Sequence, residues 1–365
     1  MKAKRVGEID ILRFVFSVIV MLRHGEYVIG SLKGVPFPGG AFAVEFFFLV
    51  SGYLMMASIE KVSLNNESLD LRTIGRETRG FLFKKIASFY PEFLISLVIG
   101  GIVLSISNHW SLLESAKLLR ASAPEIFLFE RFGFTTTRLN PPAWYLSTMV
   151  ICMAILYPLI RARKNLMAEL ILPLLSLFIL GILCKFTNNL RGPSDWVFFT
   201  YKGNLRGLAE IGLGAVLYPI AKSFANIKLN QIGKTAVTLV KWGCYLFCIR
   251  YMSKSSWDSR DFVYLLVFAL GVMLSFSGQG IEPSWFNGKA SAFLGKVSLA
   301  VYLGHYYWAS NAAWFYPAAW NNTQKLIAYV LISAVTSAVI MMLAGLYRRR
   351  APKIKEALSR LVLKA

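Results

Sequence analysis

The chain is short of the residues on which several enzyme mechanisms depend. It contains four cysteines and three histidines, and 19 acidic residues stand against 40 lysines and arginines. The cysteines lack a CxxC spacing, and the sequence contains no P-loop, GxSxG, HExxH or DxD-type motif. It therefore predicts no bound metal, no disulfide framework and no ATP-driven mechanism. The cysteines, which lie in apolar surroundings, are predicted to be packing residues.

Long apolar segments dominate what remains. Hydrophobic residues make up 56% of the 365-residue chain, in blocks of about the 20 residues that a helix needs to cross a bilayer. The alternating pattern of a β-barrel is absent. We predict an all-α polytopic membrane protein with about ten transmembrane helices. They lie near residues 8–29, 39–59, 80–106, 144–160, 167–186, 204–222, 236–252, 260–278, 290–312 and 324–347.

The net charge of +21 has a simpler explanation than nucleic-acid binding, because the basic residues lie between the apolar segments, as the positive-inside rule requires. With ten spans, the most basic connections and both termini fall on the cytoplasmic side. We expect one transmembrane domain over residues 1–350, whose extracytoplasmic segment 107–143 could act as a lid. Residues 351–365 are predicted to form a cytoplasmic amphipathic tail. The first apolar segment contains charged residues and lacks a cleavage site, so we interpret it as an uncleaved helix.

Ionisable residues within apolar segments are costly and indicate functional sites. Arg13 and His24 are eleven positions apart, which at about 100° per residue places them on one helix face, roughly 16 Å apart along the axis. In the next span, Glu45 lies at about the depth of His24. A carboxylate beside an imidazole fixes its tautomer and raises its basicity, so Glu45 is expected to orient His24.

The later spans contain further candidates. His305 should reach a depth similar to that of His24, with Tyr302 on the same helix face; a satisfied bundle histidine is the alternative. Arg206 and Glu210 form an i,i+4 pair, either structural or in contact with substrate. Two cations that open the third span, Lys84 and Lys85, either anchor the helix or bind phosphates. A buried histidine and glutamate with a phosphate-binding inner mouth indicate acyl transfer across the membrane.

Several segments resemble the acyltransferase-3 family, the bacterial integral-membrane O-acyltransferases that modify surface glycans. The first span contains the family's arginine, ten residues and histidine, from Arg13 to His24. The resemblance extends through "EFFFLVSGYLM", "PAWYLS", "LRGLAEIGLGAVLY" and "GKVSLAVYLGH", in order over nearly the whole chain. The family's Arg-x-x-Arg at the start of span three is replaced by Lys85 to Ser88, and Met149 occupies the place of a glutamate found in many glycan O-acetylases.

The resemblance implies transfer of an acyl group, expected to be acetyl, from cytoplasmic acetyl-CoA to a hydroxyl of an extracytoplasmic or lipid-linked glycan at the inner membrane. His24 would be the general base or a transient acyl carrier, Glu45 its orienting group and Arg13 a cation near the thioester. Lys84 and Lys85 would bind CoA phosphates. The expected substrate-binding residues are Trp144, Ser147, Arg206, Glu210, Tyr302 and His305.

Two other functional classes compete with this interpretation. A secondary transporter of a sugar or lipid-linked intermediate would also have ten spans and charges at mid-depth, but transporters often contain repeated halves, and no internal repeat is visible. A structural membrane protein would leave the cost of burying Arg13, His24 and Glu45 unexplained.

Overall fold

The computed structural model describes residues 5–65, 70–134, 138–254 and 258–362, and the side chains of 64, 65 and 352–362 are outside this description. The described chain is almost entirely helical. Its first half contains α1 (Gly7–His24), α2 (Glu26–Ile29), α3 (Ala43–Asn65), α4 (Leu71–Ser107), α5 (Leu112–Ala121), α6 (Ala123–Ile126) and α7 (Trp144–Ala162).

The second half continues as helices, interrupted by one short hairpin. The π-helical turn Met167–Ile171 connects two of them, and strands β1 (Trp196–Val197) and β2 (Thr200–Tyr201) pair antiparallel. The helices are α8 (Lys164–Leu166), α9 (Leu172–Thr187), α10 (Lys202–Ala225), α11 (Gln231–Met252), α12 (Arg260–Ser277), α13 (Lys289–Gly304), α14 (Tyr306–Ser310), α15 (Ala312–Phe315) and α16 (Asn322–Val362).

Each of the ten predicted segments coincides with a helix or a helix pair. Eight helices in the described part of the chain are long and apolar enough to cross a membrane, so the prediction of a polytopic α-helical membrane protein is confirmed. Helix α1 contains several charged residues and α13 has only 16 residues, and their crossing of the membrane stays a prediction. The backbone of α16 continues into the predicted tail without a break, but residues 352–365 lie outside the side-chain description.

Helix α10 lies at the centre of the bundle, against α3, α7, α9 and α12. Its contact with α3 depends on glycine. A Cβ on Gly52 would lie 2.0 Å from the carbonyl oxygen of Ile211, and one on Gly214 would lie 2.2 Å from that of Leu49. Because neither glycine has a side chain, the two backbones approach closely enough for Cα–H···O contacts.

Buried ion pairs connect helices that are distant in sequence. At the start of α1, Glu8 accepts from Lys241 Nζ at 2.5 Å and from Ser275 Oγ at 2.6 Å. The Ser275 hydroxyl also lies 2.8 Å from the Tyr245 hydroxyl. Every side chain in this cluster is buried, so α1, α11 and α12 are held in register by polar contacts as well as by packing.

The segment between α4 and α7 folds over one end of the bundle as two short helices, α5 and α6, and two 3₁₀ turns, Glu130–Phe132 and Pro141–Ala143. A capping box at Ser111 and Glu114 begins α5. The segment that we expect to act as a lid therefore contains two short helices, and its role as a lid stays a prediction.

We expect Gly52→Ala to lower the melting temperature and Gly181→Ala to leave it unchanged or raise it slightly. The new Cβ at position 52 would clash with a backbone carbonyl, whereas Gly181 has no heavy atom within 4 Å of the added Cβ, and alanine favours a helix interior by about 1 kcal/mol. Thermal unfolding of the two purified variants measures this difference. Equal stability of both variants would contradict the close α3–α10 contact.

Candidate active site

Two cavities enter the bundle and share one side chain. The Arg13 cavity, of about 150 Å³, is lined by residues that include Arg13, Lys85, Tyr145 and Tyr302. The His24 cavity, of about 280 Å³, lies on the side covered by residues 138–144 and 190–194, and Tyr302 lines it too. Tyr302 donates a hydrogen bond to the carbonyl oxygen of Pro142 at 2.8 Å. Its ring therefore lies at the boundary between the two cavities.

The lining of the Arg13 cavity contains both cations and hydroxyl groups. Arg13 and Lys85 supply the charge, and the positive charge of Arg13 acts on Lys85. Ser51 and Tyr145 are joined through their hydroxyls at 3.1 Å, and the Tyr145 hydroxyl also donates to the carbonyl oxygen of Phe47. Ser51 and Tyr145 are thus both part of the cavity wall.

The structure separates the two neighbouring lysines that the sequence grouped together. Lys85 lines the Arg13 cavity, whereas Lys84 is exposed and lies outside the cavity lining. Successive helical residues point about 100° apart, so the two side chains cannot face the same cavity.

His24 lies at the end of α1, and its ring contacts a second histidine. His305 Nε2 is 3.0 Å from His24 Nδ1, and His24 Nδ1 is also 3.0 Å from the carbonyl oxygen of Val20. His305 Nδ1 lies 3.1 Å from the carbonyl oxygen of Val301. His305 is fully buried and does not line either cavity. The predicted contact of His305 with substrate is therefore replaced by a contact with His24.

These contacts determine which ring nitrogens carry protons when both rings are neutral. A carbonyl oxygen only accepts, so His305 Nδ1 must donate to Val301, which leaves His305 Nε2 as an acceptor. His24 Nδ1 faces that nitrogen and the Val20 carbonyl, both of which accept, and it must therefore carry its proton. The remaining nitrogen of His24, Nε2, has a free lone pair, and the residue lines the His24 cavity. This is the tautomer that a general base requires.

Glu45 does not orient His24, contrary to the sequence prediction. Its carboxylate accepts a hydrogen bond from Arg206, and no hydrogen bond joins it to His24. Glu210 lies 3.7 Å from the same guanidinium, which confirms the i,i+4 pair. Arg206 is therefore shared by two carboxyl groups, and the fully buried Glu210 is absent from the cavity lining. The cost of burying a carboxylate in an apolar bundle accounts for Arg206 as the partner of Glu45.

Trp144 and Ser147, which follow the same turn, have different environments. Trp144 lines the His24 cavity, and the guanidiniums of Arg131 and Arg206 lie 5.4 Å from its ring centroid. Ser147 is buried and donates to the carbonyl oxygen of Leu128 at 2.7 Å. Ser147 does not line either cavity, so the structure assigns it to holding the segment before α7 rather than to substrate contact.

A polar anchor fixes the wall of the His24 cavity. The backbone N–H groups of Leu139 and Asn140 donate to Glu125 at 2.6 and 3.0 Å. Asn140 in turn donates to the carbonyl oxygen of Leu303 at 2.8 Å. Burial, assisted by the nearby charge of Glu130, raises the pKa of Glu125 to about 8, although the two backbone donors oppose this shift. The chain that carries Pro142 over Tyr302 is thereby held to α13.

Sequence reasoning missed three arginines in the His24 cavity, Arg23, Arg138 and Arg191. They lie at the end of α1 and in two connecting segments, where a basic residue has no distinguishing signal. The Glu8–Lys241 pair was missed for a different reason, because its partners are 233 positions apart. Among the described residues, no group of three or more histidine, cysteine or acidic side chains could hold a metal ion, and the four cysteines are free.

Residues 6–346 match the acyltransferase-3 family, described as an acyltransferase domain. The chain belongs to this family. No match was found among curated proteins or among solved structures. The family assignment covers nearly all of the described helices, including both cavities, and identifies the chain as a multi-pass membrane acyltransferase.

The contact between the two histidines leads to a test in protein labelled with [¹⁵N]histidine, where three histidines give a simple spectrum. We expect His24 to carry its proton on Nδ1 and His305 on Nδ1 as well. His305→Leu should lower acyl transfer by about ten- to a hundredfold, less than loss of a base itself, whereas His305→Gln, which retains an acceptor, should keep most activity. A proton on His24 Nε2 in the unliganded protein would exclude the proposed tautomer.

Proposed function

We propose that this protein moves an acetyl group from cytoplasmic acetyl-CoA to a hydroxyl of an extracytoplasmic or lipid-linked glycan. The observation that carries the proposal is the pair of cavities that share Tyr302, one cationic and the other containing His24. The family supplies acyl transfer as the reaction class. Two cavities on either side of one tyrosine provide separate places for a donor and an acceptor.

The donor is assigned to the Arg13 cavity. Lys85 and Arg13 present two cations to a space that also contains the hydroxyls of Ser51 and Tyr145. Cations suit the phosphates of CoA, and the hydroxyls are placed to contact the pantetheine arm or the thioester carbonyl. Arg13 forms no ion pair with any described residue, so its charge is available to a ligand.

The acceptor is assigned to the His24 cavity, which the aromatic rings of Tyr27, Trp144 and Tyr306 also line. In the reaction, His24 Nε2 takes the proton of the acceptor hydroxyl while the hydroxyl oxygen forms a bond to the thioester carbon. The carbon–sulfur bond then breaks, and the CoA thiolate receives the proton from the imidazolium. His305 stabilises the imidazolium through Nδ1–H of His24, which is the part that Glu45 was expected to play.

We assign the cationic cavity to the cytoplasmic face of the inner membrane, because arginines lie at the same end of the bundle, and one of them, Arg348, donates to the carbonyl oxygen of Ser88 in the cavity lining. Arg348, near the end of the apolar part of α16, pairs with Glu92 at 2.5 Å, and Arg161 at the end of α7 pairs with Glu77 at 2.9 Å. Under the positive-inside rule this end faces the cytoplasm. With α1 and α13 counted as spans, ten crossings place both termini there.

His24→Ala is expected to reduce acetyl transfer by at least 10²–10⁴-fold, the range for removal of a general base, with little effect on folding. The measurement is ester-linked acetate on the surface glycan of cells that lack the protein and are complemented at matched membrane levels. His109→Ala is the control, because His109 is an exposed histidine outside both cavities. Normal acetate with the His24 variant would rule out this role. Unchanged acetate on deletion of the wild-type gene would favour transport of an intermediate.

Lys85→Gln should weaken CoA binding by about tenfold, because a charge-assisted hydrogen bond to phosphate is lost, whereas Lys84→Gln should bind CoA like wild type. Isothermal titration calorimetry of the purified full-length variants with CoA and with dephospho-CoA measures their affinities. No acceptor is needed for this measurement. Equal affinity of the two variants, or no CoA binding by the wild type, would contradict the donor assignment.

A further inference from the structure

The hairpin of β1 and β2 turns on two phenylalanines. Val197 pairs with Thr200, so the turn between the strands consists of Phe198 and Phe199 alone. Two-residue hairpin turns favour glycine, asparagine and aspartate, because they require a positive φ, and φ is +55° at Phe198. Both rings are exposed, that of Phe199 to 78%. An apolar pair thus occupies a turn whose backbone favours small or polar residues.

The strands that lead to this turn are apolar as well. Residues 196–201 read Trp-Val-Phe-Phe-Thr-Tyr and contain no charged side chain. Trp196 is exposed, and its indole N–H donates to the carbonyl oxygen of Phe198 at 2.8 Å. This bond satisfies a donor and an acceptor within the hairpin, which lowers the cost of moving the hairpin out of water.

A second group of exposed rings lies beside the hairpin. The ring centroids of Phe129 and Phe132 are 5.7 Å apart in an edge-to-face contact. The next residue, Gly133, lies against Trp196, since a Cβ on this glycine would be 3.7 Å from the indole ring. We define the aromatic patch as five exposed side chains of these two segments: Phe129, Phe132, Trp196, Phe198 and Phe199. An exposed apolar patch marks a surface that contacts a membrane or another protein.

The position of the patch favours lipid as its partner. The ring of Phe198 contacts the ring of Phe186 edge to face, with centroids 4.9 Å apart. Phe186 lies in the last turn of α9, which belongs to one of the candidate membrane spans. Its ring is exposed, as are Leu174, Leu177 and Phe178 of the same helix, and such apolar side chains of a spanning helix face lipid. The hairpin tip therefore lies where α9 leaves the bilayer, a level at which aromatic rings are enriched.

The base of the hairpin continues into the wall of the His24 cavity. Residues 190–194 line this cavity and end two positions before Trp196. The carbonyl oxygen of Pro193 accepts from the Gly203 N–H at 3.0 Å and from Arg131 at 3.3 Å. The wall is thereby tied to the start of α10 on one side and continues into the hairpin on the other. A tip held in the bilayer would restrict the motion of this wall.

We propose that the tip of the hairpin, with the rest of the aromatic patch, inserts into the lipid interface on the His24 side of the membrane and anchors the cavity wall there. The partner is the lipid of that leaflet, in which the rings replace contacts with water by contacts with acyl chains. This inference goes beyond the proposed function, because it follows from the position and the chemistry of the patch and not from the reaction.

The first test measures lipid contact by photocrosslinking. Full-length protein with p-benzoylphenylalanine in place of Phe199 is reconstituted in liposomes of phosphatidylethanolamine and phosphatidylglycerol with tritiated acyl chains. The control has the same photoreactive residue in place of Arg260, an exposed side chain at the same end of the bundle, where Asp261 accepts from the Leu190 N–H. Illumination should attach about fivefold more labelled lipid at position 199 than at position 260. Equal labelling, or crosslinks from position 199 mainly to a second copy of the chain, would overturn the inference.

The second test measures anchoring of the wall by hydrogen–deuterium exchange of the protein in the same liposomes. Phe198→Ser/Phe199→Ser should speed exchange of the hydrogen-bonded amides at the base of the hairpin by about tenfold, because the segment opens more often without lipid contact. These amides are those of Leu190, Asp195 and Lys202. Serine suits a turn at least as well as phenylalanine, so faster exchange would not come from strain in the turn.

The matched control is Phe198→Leu/Phe199→Leu, which retains apolar side chains and should exchange at close to the wild-type rate. Unchanged exchange in the serine variant would overturn the anchoring. Equal loss of protection in the leucine and serine variants would also overturn it, because the rings would then act through packing within the protein.

Discussion

The cost of placing charge inside an apolar helical bundle constrains the whole structure. A carboxylate or guanidinium loses several kcal/mol on leaving water unless a partner compensates it. The bundle meets this cost with pairs that cross between distant helices, Glu8 with Lys241 and Glu45 with Arg206. The first pair connects α1 to α11 and the second connects α3 to α10. Glu45 and Arg206 also line the His24 cavity, so this polar contact both holds the helices and shapes the site.

Groups that lack such compensation are therefore informative. Arg13 and Lys85 face one cavity without an ion pair in the described structure. Neutral His24 needs only its neighbour His305 and a backbone carbonyl. The Val301 carbonyl oxygen fixes the tautomer of His305, and the acceptor nitrogen of His305 in turn fixes that of His24. His24 Nε2 is therefore left without a proton. A carboxylate in place of His305 would add charge, with its burial cost, at a site where a neutral acceptor is sufficient.

Segment lengths and depth counting predicted the helices and the similar depth of His24 and His305, because both follow from rise per residue along one helix. The partner of Glu45 was not predictable in this way. Glu45 was expected at the depth of His24, but whether it pairs with His24 or with Arg206 depends on the lateral order of the helices, which hydropathy does not contain. The separation of Lys84 from Lys85 follows from helical rotation and could have been predicted. Arg138 and Arg191 line the His24 cavity because two connecting segments fold over it. This placement is a tertiary property that the sequence pattern does not contain.

The distribution of charge between the cavities bears on what can cross. Cations lie at both, but the boundary consists of hydroxyls and rings, from Ser51 and Tyr145 to Tyr302. A CoA phosphate moving past Tyr302 would leave Arg13 and Lys85 and cross a boundary of hydroxyls and rings, and the loss of its charge partners is costly in an apolar bundle. An acetyl group is neutral and small and incurs no such cost. Under the proposed function, the electrostatics therefore retain the CoA donor in the Arg13 cavity and permit the neutral acetyl group to pass.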